Sequence, residues 1–156
     1  MTPGDPYKQP YLDSCVYIEL LQGDASNYPS RVETAALILK AVDRGAISLV
    51  ACTLILAEVA HPGTGGLDDT VERWLVRGQG VTLREVDLFL ARRAAELVRS
   101  HGLNGADAVH LAAALLSRCD VFLTWDQKLV KRAQQVPGIL VAEPYFLGES
   151  ELPGIS

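Results

Sequence analysis

The sequence predicts an α/β fold, a three-layer α/β/α sandwich in which helices cover both faces of a mostly parallel sheet. Short apolar segments of strand length alternate with helical segments along the chain, and this alternation is typical of a parallel sheet. Residues 46–51 are apolar except for Ser48, as expected for a strand that is buried on both faces. The 156 residues are 49% hydrophobic, which suits one folded domain with a sizeable core.

Five segments predict strands because each is short, apolar and bounded by turn or capping residues. The residues before them, 1–10, are polar and proline-rich and predict a loose lead-in, whereas residues 143–156 form a tail with little signal. The expected domain therefore spans residues 11–142. Its strands are predicted at residues 11–15, 46–51, 80–86, 121–124 and 139–142.

Helices are predicted between these strands by apolar residues at helical spacing and by residues that favour helix ends. Ser30 and Thr53 are candidate N-caps, and Gly23, Gly45 and residues 61–63 (His-Pro-Gly) are candidate terminators. The expected helices cover residues 16–21, 31–44 and 54–60, and run from Asp68 or Asp69 to Gly78, from Asp87 to Gly102, from Asn104 to about Ser117, and from Asp126 to about Gln135.

Composition limits the classes of function. The formal net charge of −5 argues against binding nucleic acid by bulk electrostatics, so any such role must be local. Three scattered cysteines, Cys15, Cys52 and Cys119, form no CxxC pair and indicate reduced thiols in the cytoplasm. The first residues are unlike a signal peptide, and the longest apolar run, residues 46–57, is shorter than the ~20 residues that a membrane span needs.

Four acidic residues occupy positions that their surroundings do not readily explain. Asp13 interrupts the first apolar segment, where a buried and unpaired carboxylate would cost several kcal/mol. Glu58 and Asp107 lie in the early turns of apolar helices, and Asp126 follows the fourth predicted strand. Each also fits an ordinary role: Asp13 and Asp126 as N-caps, Asp107 as the partner of Asn104 in a capping box, and Glu58 as a solvent-facing side chain.

Together the four acids predict one site at the carboxyl edge of the sheet. In a parallel sheet they would converge there, whereas Asp120 precedes its strand and belongs to the opposite edge. Crowded carboxylates repel one another, and a divalent cation removes that repulsion. An oxygen-rich site without ligand-spaced Cys or His suits Mg²⁺ or Mn²⁺ rather than zinc. Three neighbours are supporting candidates, each with an ordinary strand, cap or core alternative: Ser14, Thr124 and His110.

Four stretches of the sequence resemble the PIN-domain family, and within it the VapC-type toxins of bacterial toxin–antitoxin pairs. The third and fourth stretches are the most specific, and the resemblance covers about residues 10–142. The stretches are Tyr11-Leu12-Asp13-Ser14, Leu56-Ala57-Glu58-Val59, Gly105-Ala106-Asp107-Ala108-Val109-His110-Leu111-Ala112-Ala113-Ala114, and Phe122-Leu123-Thr124-Trp125-Asp126.

The resemblance implies a PIN-like α/β/α sandwich and an endoribonuclease that depends on Mg²⁺ or Mn²⁺. It also implies a cognate antitoxin protein that blocks the enzyme, and a homodimer. The implied acidic quartet is Asp13, Glu58, Asp107 and Asp126, supported by Ser14 and Thr124. Trp125 is a bulky residue inside the fourth stretch, and its direction is not given by the sequence.

The expected mechanism is metal-assisted hydrolysis of an RNA phosphodiester. Asp13 and Asp107 are the expected direct ligands, Glu58 would hold or deprotonate a metal-bound water, and Asp126 would complete the site. The dimer is expected to use apolar surface after Thr53 and over residues 69–78, including Trp74. Candidate RNA contacts, each equally explained as solvated helix surface, are Lys128, Lys131 and Arg132, with Arg92, Arg93 and Arg99 on another helix.

Two other classes of function compete with this interpretation. A phospho-receiver domain needs an acidic neighbour for its phosphorylated Asp and a Lys at the end of its last strand. Here Asp13 has no acidic neighbour, and the last strand runs into Glu143 and Pro144. A non-catalytic PIN-like module that only binds a partner stays open, although this chain keeps all four acids.

Overall fold

The computed structural model describes residues 1–22, 28–60 and 67–147, and in these ranges short strands alternate with helices. The strands are β1 (Pro10–Leu12), β2 (Leu49–Cys52), β3 (Val81–Arg84), β4 (Val121–Leu123) and β5 (Leu140–Ala142). The helices are α1 (Ser14–Leu21), α2 (Pro29–Asp43), α3 (Leu54–Val59), α4 (Leu67–Arg77), α5 (Leu88–His101), α6 (Gly105–Leu116) and α7 (Gln127–Ala133).

The strands form one parallel sheet in the order β3-β2-β1-β4-β5. The chain moves outward from β1 to β3 and then crosses back to β4 and β5. Because such crossovers are right-handed, the helices of the two halves cover opposite faces of the sheet. Accordingly, α1 packs against α2, α3 and α4, whereas α5 packs against α6. The predicted α/β/α sandwich is confirmed.

Beside β1, the central strand, the order in which successive strands are added to the sheet reverses. β1 pairs with β2 on one side and with β4 on the other, with Leu12 opposite Leu123 in the second pair. All three residues of β1 and of β4 are buried. In open α/β sheets a crevice forms outside the carboxyl ends of the strands at such a reversal. Asp13 and Thr124, the residues that follow β1 and β4, lie at this point.

The first strand is shorter than the predicted 11–15. It ends at Leu12, and Asp13 is the N-cap of α1, where its carboxylate accepts the backbone N–H of Ser14 at 2.9 Å. Cys15 is therefore helical, because the capping bond starts the helix directly after the strand.

Two other predicted caps are wrong. Helix α2 begins at Pro29 with Tyr28 as N-cap, so Ser30 lies inside the helix, as expected for a proline at the first helical position. Helix α4 begins at Leu67, so Asp68 and Asp69 belong to its first turn.

The caps around α5 and α6 are as predicted. Asp87 accepts the N–H of Leu90 at 2.9 Å, and Gly102 ends α5 in the left-handed conformation with φ 66°. Asn104 caps α6 by accepting the N–H of Asp107 at 2.8 Å.

The lead-in is held to the domain rather than loose. Asp120 accepts the backbone N–H groups of Lys8 and Gln9 at 2.6 and 3.0 Å, at the edge of the sheet where β1 begins. This structural role agrees with leaving Asp120 out of the acidic site. The Tyr7 hydroxyl is buried and donates to the carbonyl of Tyr145 at 2.6 Å, so the two ends of the described chain pack together.

Some predicted features lie outside the described residues: the end of a helix at Gly23, the stop at residues 61–63, and residues 148–156 of the tail. Across the part that is described, none of the helices has the length and apolar character needed to traverse a lipid bilayer.

Candidate functional site

Asp13 and Thr124 form the centre of the site. Only 6% of Asp13 is exposed, and Thr124 is fully buried. The Thr124 hydroxyl donates to Oδ2 of Asp13 at 2.7 Å, while Oδ1 of Asp13 accepts the N–H of Ser14. The same threonine oxygen accepts the N–H of Asp126 at 3.1 Å. These bonds explain how the sheet tolerates a buried carboxylate, and they fix Asp126 beside Asp13.

Asp107 brings a third carboxylate to this edge from the first turn of α6. Its side chain accepts a hydrogen bond from Nδ2 of Asn104 at 2.7 Å. Burial, followed by the negative charges of Asp13 and Asp126, raises the pKa of Asp107 to about 6, although His110 and Asn104 act in the opposite direction. The charges of Asp13 and Asp126 therefore act on Asp107.

Asp126 is a helix cap whose charge also acts on the acidic edge of the sheet. It is the N-cap of α7, and its Oδ1 accepts the N–H groups of Lys128 and Leu129 at 3.0 and 3.2 Å. Its charge nevertheless acts on Asp107. Both capping bonds go to Oδ1, so capping fixes the carboxylate without using Oδ2.

Glu58 is held by His110. The two side chains form a short hydrogen bond between Oε1 of Glu58 and Nε2 of His110, and about 27% of the Glu58 side chain is exposed. Burial alone would lower the pKa of His110, but its hydrogen bonds to Cys52 and Glu58 raise it to about 10. Oε1 of Glu58 is therefore occupied by its hydrogen bond to His110.

The other side of the His110 ring contacts residues that the sequence did not indicate. Nδ1 lies 2.7 Å from the Tyr11 hydroxyl and 3.5 Å from Sγ of Cys52, and all three residues are fully buried. Tyr11 and Cys52 belong to β1 and β2, where they read as ordinary core residues. No periodicity or spacing in the sequence reports a contact between a strand residue and a helix that follows much later in the chain.

The donors in the site fit a hydrated divalent ion better than a closed metal cage. Among the described residues, no group of three His, Cys, Asp or Glu side chains is arranged to hold a metal ion. Mg²⁺, however, is often bound through one or two carboxylates and keeps several of its waters. Asp13, Asp107 and Asp126 offer only oxygen donors, which is the chemistry that such an ion requires.

The basic residues of α7 differ in whether other groups of the chain engage them. Lys128 and Lys131 are exposed on the helix that Asp126 caps. Arg132 instead donates to the carbonyl of Gly102 at 3.1 Å, and in α5 Arg93 pairs with Glu96 at 3.2 Å. Arg132 and Arg93 each have a partner within the chain.

Comparison with known proteins identifies the family. The sequence profile of the PIN domain matches residues 11–135. The chain belongs to the PIN-domain family. PIN domains generally bind divalent metal ions, in agreement with the oxygen donors of this site. No curated protein matches the chain.

Three solved structures with a similar fold are a toxin–antitoxin complex and two DNA-bound complexes. The alignment with a chain of a toxin–antitoxin complex from Klebsiella pneumoniae covers 88% of this chain and 98% of that chain. The TM-score is 0.57 and the sequence identity is 19%. VapBC2 from Rickettsia felis, bound to a DNA fragment from its promoter, has a TM-score of 0.56 at 12% identity and covers 85% and 96%. FitAB bound to an IR36 DNA fragment has a TM-score of 0.58 at 17% identity and covers 89% and 97%. Because the sequence identities are this low, the structural similarity shows the fold alone.

Asp107→Asn is expected to stabilise the metal-free PIN domain by about 1 kcal/mol at neutral pH. The carboxyl ionises near its ordinary value of 3.8 when unfolded but near 6 when folded, so stability falls as pH rises between these values and stays lower above them. Partial exposure of Asp107 reduces the effect below the full shift. The cap survives because Asn104 bonds the backbone N–H at position 107.

Urea unfolding in the presence of a chelator measures this difference at about pH 4 and about pH 7.5. The variant should gain stability over the parent only at the higher pH. A variant that is less stable than the parent at the higher pH would show that the Asp107 carboxylate has a mainly structural role.

Proposed function

We propose that this PIN-domain protein is a divalent-metal-dependent endoribonuclease that hydrolyses RNA phosphodiester bonds as the toxin of a type II toxin–antitoxin pair. The observation that carries the proposal is the meeting of Asp13, Asp107 and Asp126 at the reversal point of the sheet. The fold shared with chains of solved toxin–antitoxin complexes supports the toxin role.

In this proposal Asp13 and Asp107 hold Mg²⁺ or Mn²⁺, and Asp126 completes the site. The ion would supply Lewis-acid chemistry, polarising the phosphodiester and making a bound water more acidic. Thr124 keeps the Asp13 carboxylate in one orientation through its hydroxyl. His110 holds Oε1 of Glu58, so Oε2 is the oxygen left to accept a proton from an attacking water.

The partners follow from the same proposal. The substrate is RNA, which meets a chain of net charge −5 and therefore needs local cations, with Lys128 and Lys131 available on α7. A cognate antitoxin protein would block the acidic edge. The protein would act in the cytoplasm, where its free cysteines stay reduced.

The test is RNA cleavage by the purified protein with Mg²⁺, with Mn²⁺, and with excess chelator. We expect cleavage with either ion or with one of them, and none in chelator. Undiminished cleavage in chelator would rule out the metal-dependent mechanism, and RNA binding without any cleavage would favour a non-catalytic PIN-like module.

A homodimer belongs to this proposal, with an interface that differs from the sequence expectation. Ile55, Val59 and Leu75 of the expected surface are buried within one chain, and Trp74 donates its Nε1 hydrogen to Asp43 at 2.9 Å. Val76 of the expected surface is 55% exposed, but the two most exposed large apolar side chains of the described domain are neighbours at the start of α5, where Leu88 and Phe89 are 64% and 66% exposed. Exposed apolar pairs of this kind are favourable centres for an interface.

We expect light scattering at micromolar concentration to give twice the mass of one chain for the parent and one chain mass for Phe89→Glu. Leu37→Glu is the matched control, because Leu37 is an exposed apolar residue on α2. A parent that is monomeric throughout the concentration range would contradict the dimer, and an equal effect of both variants would contradict the proposed interface.

A further inference from the structure

The guanidinium group of one arginine contacts two aromatic rings, one of which directly precedes Asp126 in the chain. The guanidinium carbon of Arg31 is 4.1 Å from the ring centroid of Tyr28 and 5.2 Å from that of Trp125. Arg31 lies in the first turn of α2, and its backbone N–H bonds the carbonyl of Tyr28 at 3.0 Å. Stacking on aromatic faces restricts a guanidinium and so reduces the entropy it loses when it binds a ligand.

Trp125 connects this group to the proposed catalytic centre. It stands between Thr124 and Asp126 in the chain, and both of those residues belong to the hydrogen-bonded set around Asp13. Its ring is partly buried against the core, which fixes the direction that the sequence leaves open. Arg31 therefore presents a positive charge at the rim of a negatively charged site.

The charge of Arg31 is not neutralised within the part of the chain that the structure describes. No carboxylate in those residues forms an ion pair with it, whereas Arg93 and Arg132 are engaged by Glu96 and by the carbonyl of Gly102. Tyr28 is also accessible, with 53% of its surface exposed. A cation and an exposed aromatic ring are thus presented together.

We propose that Tyr28, Arg31 and Trp125 bind a single-stranded nucleotide of the RNA next to the scissile phosphate. Arg31 binds a backbone phosphate, for which its planar donors are well suited, and the exposed Tyr28 ring stacks on a base. Trp125 holds the guanidinium at the edge of the site. This inference rests on the proposed endoribonuclease function and names the local cation that an RNA needs to approach an acidic protein.

The test measures binding of a short, fluorescein-labelled, single-stranded RNA of mixed sequence to the full chain carrying Asp13→Asn, so that no cleavage interferes. Adding Arg31→Gln should weaken binding about tenfold and reduce the slope of log affinity against log salt by about 0.7, the value for one phosphate contact to a single strand. Arg31→Lys should keep most of the salt slope but lose part of the affinity. Tyr28→Ala should weaken binding with little change in the slope.

Lys40→Gln is the matched control, because Lys40 is an exposed cation near the far end of the same helix. It should leave affinity nearly unchanged, and equal melting temperatures would show that the variants fold. The inference would be overturned if Arg31→Gln bound the RNA as tightly as Lys40→Gln does. It would also be overturned if Arg31→Gln weakened only the binding of the antitoxin. Cleavage by the chain without Asp13→Asn is followed separately, so failure of the nuclease proposal is distinguished from failure of this one.

Discussion

Asp13→Asn is expected to reduce metal-dependent RNA cleavage by about 10³-fold or more while the protein melts near the parent temperature. The substitution removes the charge of the carboxylate at the centre of the site, and a lost contribution of several kcal/mol to the transition state corresponds to such a factor. The fold should persist because the amide keeps an oxygen for the N–H of Ser14 and a polar group beside Thr124.

Cleavage of a labelled RNA under single-turnover conditions measures the effect. Glu33→Gln is the control, since it removes the same charge from an exposed position on α2 and should leave the rate within about twofold of the parent. An Asp13→Asn protein that cleaves at the rate of Glu33→Gln would show that cleavage does not depend on this carboxylate.

His110→Ala is expected to lower the free energy of unfolding by about 3–5 kcal/mol, the largest stability change that we expect from a single substitution in the site. The ring is fully buried and bonds both the Tyr11 hydroxyl and Glu58. Its removal leaves a cavity, a buried hydroxyl without its partner and a partly buried carboxylate without its counter-ion.

Urea unfolding of His110→Ala measures the loss in the free energy of unfolding, and two further substitutions are needed to interpret it. Tyr11→Phe removes only the hydroxyl and should cost about 1–2 kcal/mol. His101→Ala, at the end of α5, should cost less than about 1 kcal/mol and serves as the control. A loss below about 1 kcal/mol for His110→Ala would mean that the buried network contributes little to folding.

The sequence predicts the fold well because its signals are local. Strand and helix patterns identify all five strands that the structure describes, and the caps at Asp87 and Asn104 start their helices as expected. One kind of error occurs where a cap competes with a strand pattern. At Asp13 the capping bond to Ser14 ends β1 earlier than the apolar pattern suggests.

The candidate site can be predicted only in part from such local signals. The sequence presents capping and a site role for Asp126 as alternatives, but the structure shows that the two are compatible, because one oxygen caps α7 while the charge acts on Asp107. The sequence marks His110 as a supporting residue, but its pairing with Glu58 in particular depends on the relative placement of α3 and α6 in the fold. Arg31 was missed for the same reason, because its aromatic neighbour Trp125 follows a distant strand.

The single hydroxyl proton of Thr124 has a consequence for how the site can move. The proton is committed to Asp13, so the oxygen can receive the N–H of Asp126 only on a lone pair, and the two bonds have a fixed direction. Successive bonds of one direction polarise each other and strengthen together. A change of the Thr124 rotamer would break both bonds at once, because both involve the same oxygen. The segments that follow β1 and β4 are therefore coupled through the Thr124 side chain, although they are far apart along the chain.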